Sequence, residues 1–478
     1  MRNIWIIAAF LSVTLAFAVR LKGFNNPVAD WHSWRQADTA SVARNFIKYG
    51  IDMFRPRYDD LSNIQSGKDN PSGLRMVEFP LYQIAGVYIY KLFPKLTIEE
   101  TLRIISIAGT CGSILLVGLL LFDLENPFTG IVGMFLYAVL PFSIYYGRAI
   151  LPDPTATFFA LLSLYLLVVS QYKRKHFLLT SCAAVSAAIS LLVRPMAIFL
   201  LFPSPFLIIR QSKFSFHSFI RLFVYLFISL LPLILWRLWI QRYPEGIPAS
   251  VWLLNYNGIR FKGAWFYWLF AKRIGELILG YWGLIPFSLG IIISRKKMYS
   301  LFSYCWLIGA LMYLIIFAGG NVQHDYYQVL LIPVIIWFTA EGVAFLFEHH
   351  TGIYRPISVI LAVISLLFTW AFSWYTVRTY FWINRPEIVE AGKAADRILP
   401  NDARVIAPYN GDTTFLYQTK RQGWPLGFDI EKKLAMGATT YVTVSPTDSD
   451  LETRDLARRF TVLVRNDKYA IIDLTKSK

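Results

Sequence analysis

The stretch RAILPDPTATFFALLSLYLLVVSQYKRK (148–175) decides the class of fold. Its apolar run, 154–170, is nearly long enough as a helix to cross about 30 Å of hydrocarbon. Arg148 and Asp153 bracket a proline-containing turn before the run, and Lys173-Arg174-Lys175 follows it. Cytoplasmic loops collect Lys and Arg, so the basic end faces the cytosol and the Arg148–Asp153 end faces away. Working outward, comparable apolar runs occur at 3–19, 104–122, 127–147, 177–193, 195–209, 218–240, 274–293, 299–318, 329–347 and 357–376. Two more basic clusters, Arg210 with Lys213 and Arg295-Lys296-Lys297, then fall on the cytosolic side by alternation of the runs. A further run, 79–94, is short, carries Lys91 and ends at Pro94.

Parity sorts out that last run. With Met1 inside, residues 21–78 lie outside, as does 148–153, so an even number of crossings separates them. Three apolar runs lie between, and 79–94 is expected not to cross but to be re-entrant or to lie along the outer interface. The expected fold is a polytopic α-helical membrane protein with about eleven crossings, twelve or thirteen being the alternative counts. The first run reads as an uncleaved span, because no small-residue cleavage site follows it. Residues 1–376 form the membrane module, with 21–78 as a large first extracytoplasmic loop and 241–273 as a second outer loop. Residues 377–478 form a small extracytoplasmic α/β domain, and the whole belongs in the cytoplasmic (inner) membrane.

Composition agrees. The chain is 56% hydrophobic and 16% charged, against about 25% charged in soluble domains, which excludes an ordinary soluble enzyme and a disordered chain. Its net charge of +17 reads as cytosolic anchors and gives no case for nucleic acid. Cys111, Cys182 and Cys305 all sit in apolar runs, which leaves neither a disulfide framework nor a CxxC metal site.

The outer loops carry the informative residues. Ser33-Trp34-Arg35-Gln36 fits a capping box with Ser33 as N-cap, followed by a helix from about Trp34 to Tyr49 that stops at Gly50. Trp34, Ala37, Val42, Phe46 and Tyr49 suggest an amphipathic helix on the membrane surface. In the tail, helical patterns (387–398, 429–436, 450–459) alternate with strand-like runs (403–407, 439–445, 460–465, 469–474), and Asn410-Gly411-Asp412 is a turn signal.

Ionisable groups at membrane boundaries are costly near lipid and usually face a cavity or a partner. Five clusters fall on the outer side. Asp30, His32, Arg35 and Asp38 surround the start of the first loop helix, where Arg35 and Asp38 share a face at i,i+3 spacing. They offer a carboxylate base with an arginine that orients it or holds an anion; a solvated helix start is the plainer meaning. Glu78 opens the run that does not cross, as an interfacial charge, a metal ligand or a substrate contact. Arg148 and Asp153 bracket the re-entry turn, where Asp153 could instead cap the next helix. Arg194-Pro195 puts an arginine on the side where cations are disfavoured, which suits an anionic partner or a lipid phosphate. His324-Asp325-Tyr326-Tyr327 precedes a span and reads as an interfacial tyrosine belt when taken alone. Loop 241–273 adds Arg260 and Lys262 to aromatic residues including Trp252, Trp265 and Trp268. Guanidinium groups that hold a phosphate and rings that pack a lipid tail suit a polyprenyl phosphate.

These positions resemble the GT-C glycosyltransferase superfamily, in particular its bacterial branch of aminoarabinose transferases and protein O-mannosyltransferase-like proteins (glycosyltransferase family 39). DWHSWRQADTASVARNF (30–46), EFPLY (78–82), RAILPDPTATFF (148–159), LLVRP (191–195) and HDYYQVLLIP (324–333) carry the resemblance, which extends in layout over 1–376. It implies a polyprenyl-phosphate (such as undecaprenyl-phosphate) sugar donor, an acid at the start of the first outer loop and a second acid in the next outer loop. The first acid falls on Asp30 or Asp38 and the second on Asp153, with His324 and Tyr327 in the late outer-loop motif.

Transfer to an acceptor hydroxyl would then use Asp30 or Asp38 as general base. Arg35, Arg148, Arg194, Arg260 and Lys262, with His32, His324, Tyr326 and Tyr327, would hold the substrate and its phosphate. No cofactor is required. A divalent metal is optional, with Glu78, His324 and Asp38 as its ligands. The acceptor is a glycan, a lipid or a protein. The rival reading is a transporter or flippase of lipid-linked sugars, against which the two halves show no repeated pair of interrupted spans.

Overall fold

The structure is a computed structural model that describes residues 2–172, 176–211, 215–293, 300–348 and 354–478. The basic clusters Lys173-Arg174-Lys175 and Arg295-Lys296-Lys297, and Lys213, lie outside the described residues. The chain divides into two compact units. The first, here the helical unit, comprises Met1–Phe24, Arg103–Arg237 and Ser250–Tyr380; the second, here the mixed unit, comprises Asn25–Leu102, Leu238–Ala249 and Phe381–Lys478.

Among the described residues, six helices are long and apolar enough to cross a membrane: Asn3–Arg20, Ile98–Leu124, Asp153–Ser170, Phe216–Ile240, Asp325–Glu348 and one that begins at Tyr354. Pro127–Val139, Phe177–Val193, Pro195–Arg210 and Leu301–Ile316 are shorter apolar helices. The expected run 127–147 is broken. Leu140 is extended, and Pro141, which lacks an N–H, starts a separate short helix, Pro141–Tyr146. The run 274–293 is broken too. A π-helix, Tyr267–Ile278, ends in a turn with Gly280 and Tyr281 at positive φ before Leu284–Ile292 resumes. Leu284–Ile292 packs closely on the helix Ile332–Glu348. A Cβ on Gly290 would lie 1.8 Å from the Phe338 carbonyl oxygen, and one on Gly342 would lie 1.8 Å from that of Pro286. Small residues at such crossings let backbones approach where water supplies no hydrophobic drive.

In the mixed unit a five-stranded sheet has the order β2-β1-β3-β5-β4, with β1 Arg404–Ile406, β2 Gln422–Trp424, β3 Thr440–Thr443, β4 Phe460–Arg465 and β5 Ala470–Ser477. β2, β1 and β3 run parallel, and β5 and β4 close the sheet as an antiparallel pair. Side chains alternate across it. Val405, Val442 and Ile471 pack with Ile388 and Phe415 on one face, while Ile406, Tyr441 and Ile472 pack with Leu61, Trp424 and Leu456 on the other. The strand-like runs of the tail are all present; β2 is an addition.

The first-loop segment joins this sheet. Asp60 bridges Gly423 in parallel, with Leu61 N–H donating to the Gly423 carbonyl at 2.8 Å and Gly423 N–H donating to the Asp59 carbonyl at 2.9 Å. That covers the open edge of β2. The Leu81–Leu92 helix belongs to the same unit. Its 12 residues span only about 18 Å, too short to cross hydrocarbon.

Candidate functional site

The Ser33–Tyr49 helix organises the mixed unit. Its N-cap is His32, in the left-handed region at φ 52°, and not Ser33 as the capping box suggested. The Ser33 hydroxyl is taken by Thr414 at 2.9 Å, and Gln36 turns to Asp30 Oδ1 at 2.7 Å instead of the helix start. Nor is the helix buried along one face only. Arg35, Gln36, Asp38, Thr39, Ser41 and Asn45 are buried along with Ala37, Ala40, Val42, Ala43 and Phe46, so most of it is an interior element whose polar side chains need partners.

Asp38 has them. Its Oδ1 accepts from the Thr413 hydroxyl at 2.7 Å, and its Oδ2 accepts from Gln65 at 3.1 Å and lies 3.0 Å from Arg75 Nη2. Arg75 also bonds Gln65 and lies over the Tyr58 ring. Nearby, Arg44 pairs with Asp59 and packs on Tyr417, and Arg35 pairs with Glu78. Burial raises Asp59 above the ordinary carboxylate range and pushes Asp60 up to about 6, although N–H donation from Ser62 opposes the shift at Asp60.

Asp30 stands differently. It is buried, held by Gln36, and lines a cavity of about 260 Å³ with Trp31, His32, Trp34, Tyr409 and Asp412. The turn predicted at Asn410-Gly411-Asp412 delivers Asp412 there, with Asn410 and Gly411 at positive φ. Asp412 Oδ1 accepts from Thr414 N–H at 2.7 Å, and burial raises the carboxyl above its usual range despite that bond.

In the helical unit, Asp153 does not cap its helix; it lies 3.0 Å from Arg194 Nε. The Arg194 guanidinium sits 5.0 Å from the Tyr327 ring centre and 6.0 Å from that of Tyr326. His324 stacks on both tyrosines and meets Trp252 edge-on. Beside them, Asp325 is fully buried, accepts from Tyr146 and, at 2.5 Å, from Tyr380, and lies 3.6 Å from Arg273.

No family model matches the sequence, and no curated protein matches it. Solved structures do. ArnT from Cupriavidus metallidurans, bound to undecaprenyl phosphate, aligns with a TM-score of 0.65 at 12% identity over 99% of this chain and 98% of that one. The Archaeoglobus fulgidus oligosaccharyltransferase in its apo form aligns with a TM-score of 0.61 at 9% identity over 92% of this chain and 69% of that one. Arabinofuranosyltransferase AftD from mycobacteria aligns with a TM-score of 0.59 at 11% identity over 99% of this chain and 41% of that one. The chain has the GT-C glycosyltransferase fold.

Within that GT-C frame, three of the five sequence clusters meet in the helical unit: Asp153, Arg194 and Tyr326–Tyr327. Arg148 is turned elsewhere. It is fully buried, donates to the Gly23 carbonyl at 3.1 Å and lies against Tyr145. Arg260 donates to the Leu254 and Ile316 carbonyls, and Lys262 is exposed. Of the expected metal ligands, Glu78 is paired with Arg35, His324 is stacked among rings and Asp38 is closed in by Arg75, Gln65 and Thr413. Among the described residues no three His, Cys, Asp or Glu side chains gather as a metal site. Sequence alone gave no role to Gln65, Arg75, Thr413 or Asp412, of which the Asn-Gly-Asp turn signalled Asp412; Asp325 lay in the His324–Tyr327 cluster and Arg273 in the basic loop 241–273.

Proposed function

We propose that the protein is a glycosyltransferase that moves a sugar from a polyprenyl-phosphate donor to an acceptor hydroxyl on the extracytoplasmic face, with inversion. The observation that carries this reading is the match, over nearly the whole chain, to ArnT holding undecaprenyl phosphate. The acceptor side draws on Asp30. Gln36 orients its carboxylate, which accepts the hydroxyl proton as the acceptor oxygen bonds to the anomeric carbon. The bond from that carbon to the phosphate oxygen breaks, and the phosphate leaves with the electron pair.

In the helical unit, Arg194, placed against Tyr326 and Tyr327, suits an anionic lipid phosphate, and aromatic residues of 241–273 suit its lipid tail. Asp38, fixed by three donors, holds the mixed unit together and is assigned no proton transfer. Metal is optional here, because a monophosphate leaving group gathers less charge than a diphosphate. About eleven crossings, with the tail and both large loops outside the cytosol, complete the proposal.

Purified protein in proteoliposomes, given polyprenyl-phosphate sugar and a cell-envelope glycan extract, is expected to release free polyprenyl phosphate and to label the extract. Return of intact donor, redistributed across the bilayer, would replace the transferase reading with the flippase.

A further inference from the structure

We infer that the cavity beside Asp30 is a saccharide subsite, and that the acceptor is therefore a glycan whose terminal sugar ring seats there. This rests on the transferase reading and deepens it. At about 260 Å³ the cavity falls just below the roughly 300–1,000 Å³ of drug-sized ligand pockets, suited to one ring and not to a lipid chain. Its lining argues by elimination. Asp30 and Asp412 face it, and an acyl chain would strip water from both carboxylates. Two acids also repel a phosphate or sulfate, and they outnumber Arg385, the one arginine in the lining. A metal ion is disfavoured because Asp30, His32 and Asp412 share the cavity wall without gathering into a cation site.

What suits this wall is a neutral ligand rich in hydroxyl donors and presenting an apolar C–H face. Carboxylates accept from hydroxyl groups through several lone pairs. Trp31, 41% exposed and edge-on to His32 at 5.1 Å, offers a ring face, and Tyr409 offers another. The exposed Asn384 adds an amide that both donates and accepts. The subsite thus places the attacking hydroxyl at Asp30, and Asp412 and Trp31 select the ring that carries it.

The test uses the full-length protein in detergent and a panel of methyl hexopyranosides and methyl pentofuranosides, with binding read by saturation-transfer NMR. At least one glycoside is expected to bind saturably, and Trp31→Ala and Asp412→Asn are each expected to weaken it roughly tenfold. Trp31 is 41% exposed and lies outside the packed core, so its variant is expected to fold; the tryptophan emission and melting temperature of each variant check that. No saturable binding by any glycoside, equal affinity in both folded variants, or inorganic phosphate competing for the site would each overturn the inference. Donor turnover is scored separately. Saccharide binding without release of polyprenyl phosphate removes the transferase reading and leaves the subsite. Transfer with an unchanged acceptor KM in both variants removes the subsite and leaves the transferase.

Discussion

Two buried carboxylate–arginine pairs, one in each unit, share a separation of 3.0 Å and little else. Asp38–Arg75 in the mixed unit is closed by polar partners: Gln65 bonds both members, and Thr413 takes the remaining carboxylate oxygen. Asp153–Arg194 in the helical unit is faced by the rings of Tyr327 and Tyr326. A guanidinium against a ring keeps its in-plane N–H groups as donors for an anion. The same residue pair is thus closed as a structural clamp in one unit and, under the function proposed above, serves as a phosphate receptor in the other. What surrounds a pair, and not the pair itself, separates the two uses.

The largest effect that would break this comparison is on stability. Removing one partner from a buried pair costs about 3–5 kcal/mol, so Asp38→Ala and Arg194→Met should both lower the melting temperature strongly. The double replacements should then diverge. Asp153→Leu with Arg194→Met exchanges charge for apolar packing and should regain most of the stability. Asp38→Leu with Arg75→Met should not, because it strands Gln65 and Thr413. Equal recovery in both units would erase the distinction.

Next in size is a pH effect at the clamp's neighbour. Burial raises Asp60 from 3.8 to about 6, so the folded state prefers the protonated form. Its contribution to stability is fully present below the unfolded value and is lost as pH rises through about 6. The linkage is on the order of 3 kcal/mol across that window. Asp60→Asn, which keeps an acceptor for Ser62 N–H, should melt higher than the parent at pH 7.5 and show little advantage at pH 4. An advantage that does not vary with pH would contradict the assignment.

A smaller effect sharpens the receptor side. Arg194→Lys retains charge but loses the planar fork, and should raise the donor KM by roughly tenfold with kcat nearly unchanged. Smallest is His32→Gly. Relief of the left-handed conformation at φ 52° should stabilise the mixed unit by about 1 kcal/mol, as read by thermal melting.

The apolar helices and the strands of the tail were legible because each repeats a physical pattern: apolar runs, six of which form helices long enough to cross a membrane among the described residues, and strand-like runs bounded by turns. Breaks that cost little in composition, such as Leu140–Pro141, were not, and neither was β2, whose three residues include a glycine. At the site, Asp153 and Arg194 were each singled out, yet nothing in their spacing of two helices predicted that they meet. Asp38 and Arg75 are joined across an irregular loop that has no periodicity to read. Ser33 and Gln36 matched a capping box, but tertiary partners, Thr414 and Asp30, outcompeted the local bonds. The contrast between Asp30 at a cavity and Asp38 closed in by Thr413, Gln65 and Arg75 is likewise tertiary and could not be read from the chain.

The most direct test compares Asp30→Asn with the parent protein in the proteoliposome transfer assay, with folding checked by thermal melting. The melting temperature and the donor KM are expected to stay unchanged while kcat falls on the order of 10²–10⁴-fold, the range supplied by a positioned general base. A folded Asp30→Asn protein that turns over within a factor of about two of the parent would contradict the base assignment, since a general base cannot be removed at so little cost.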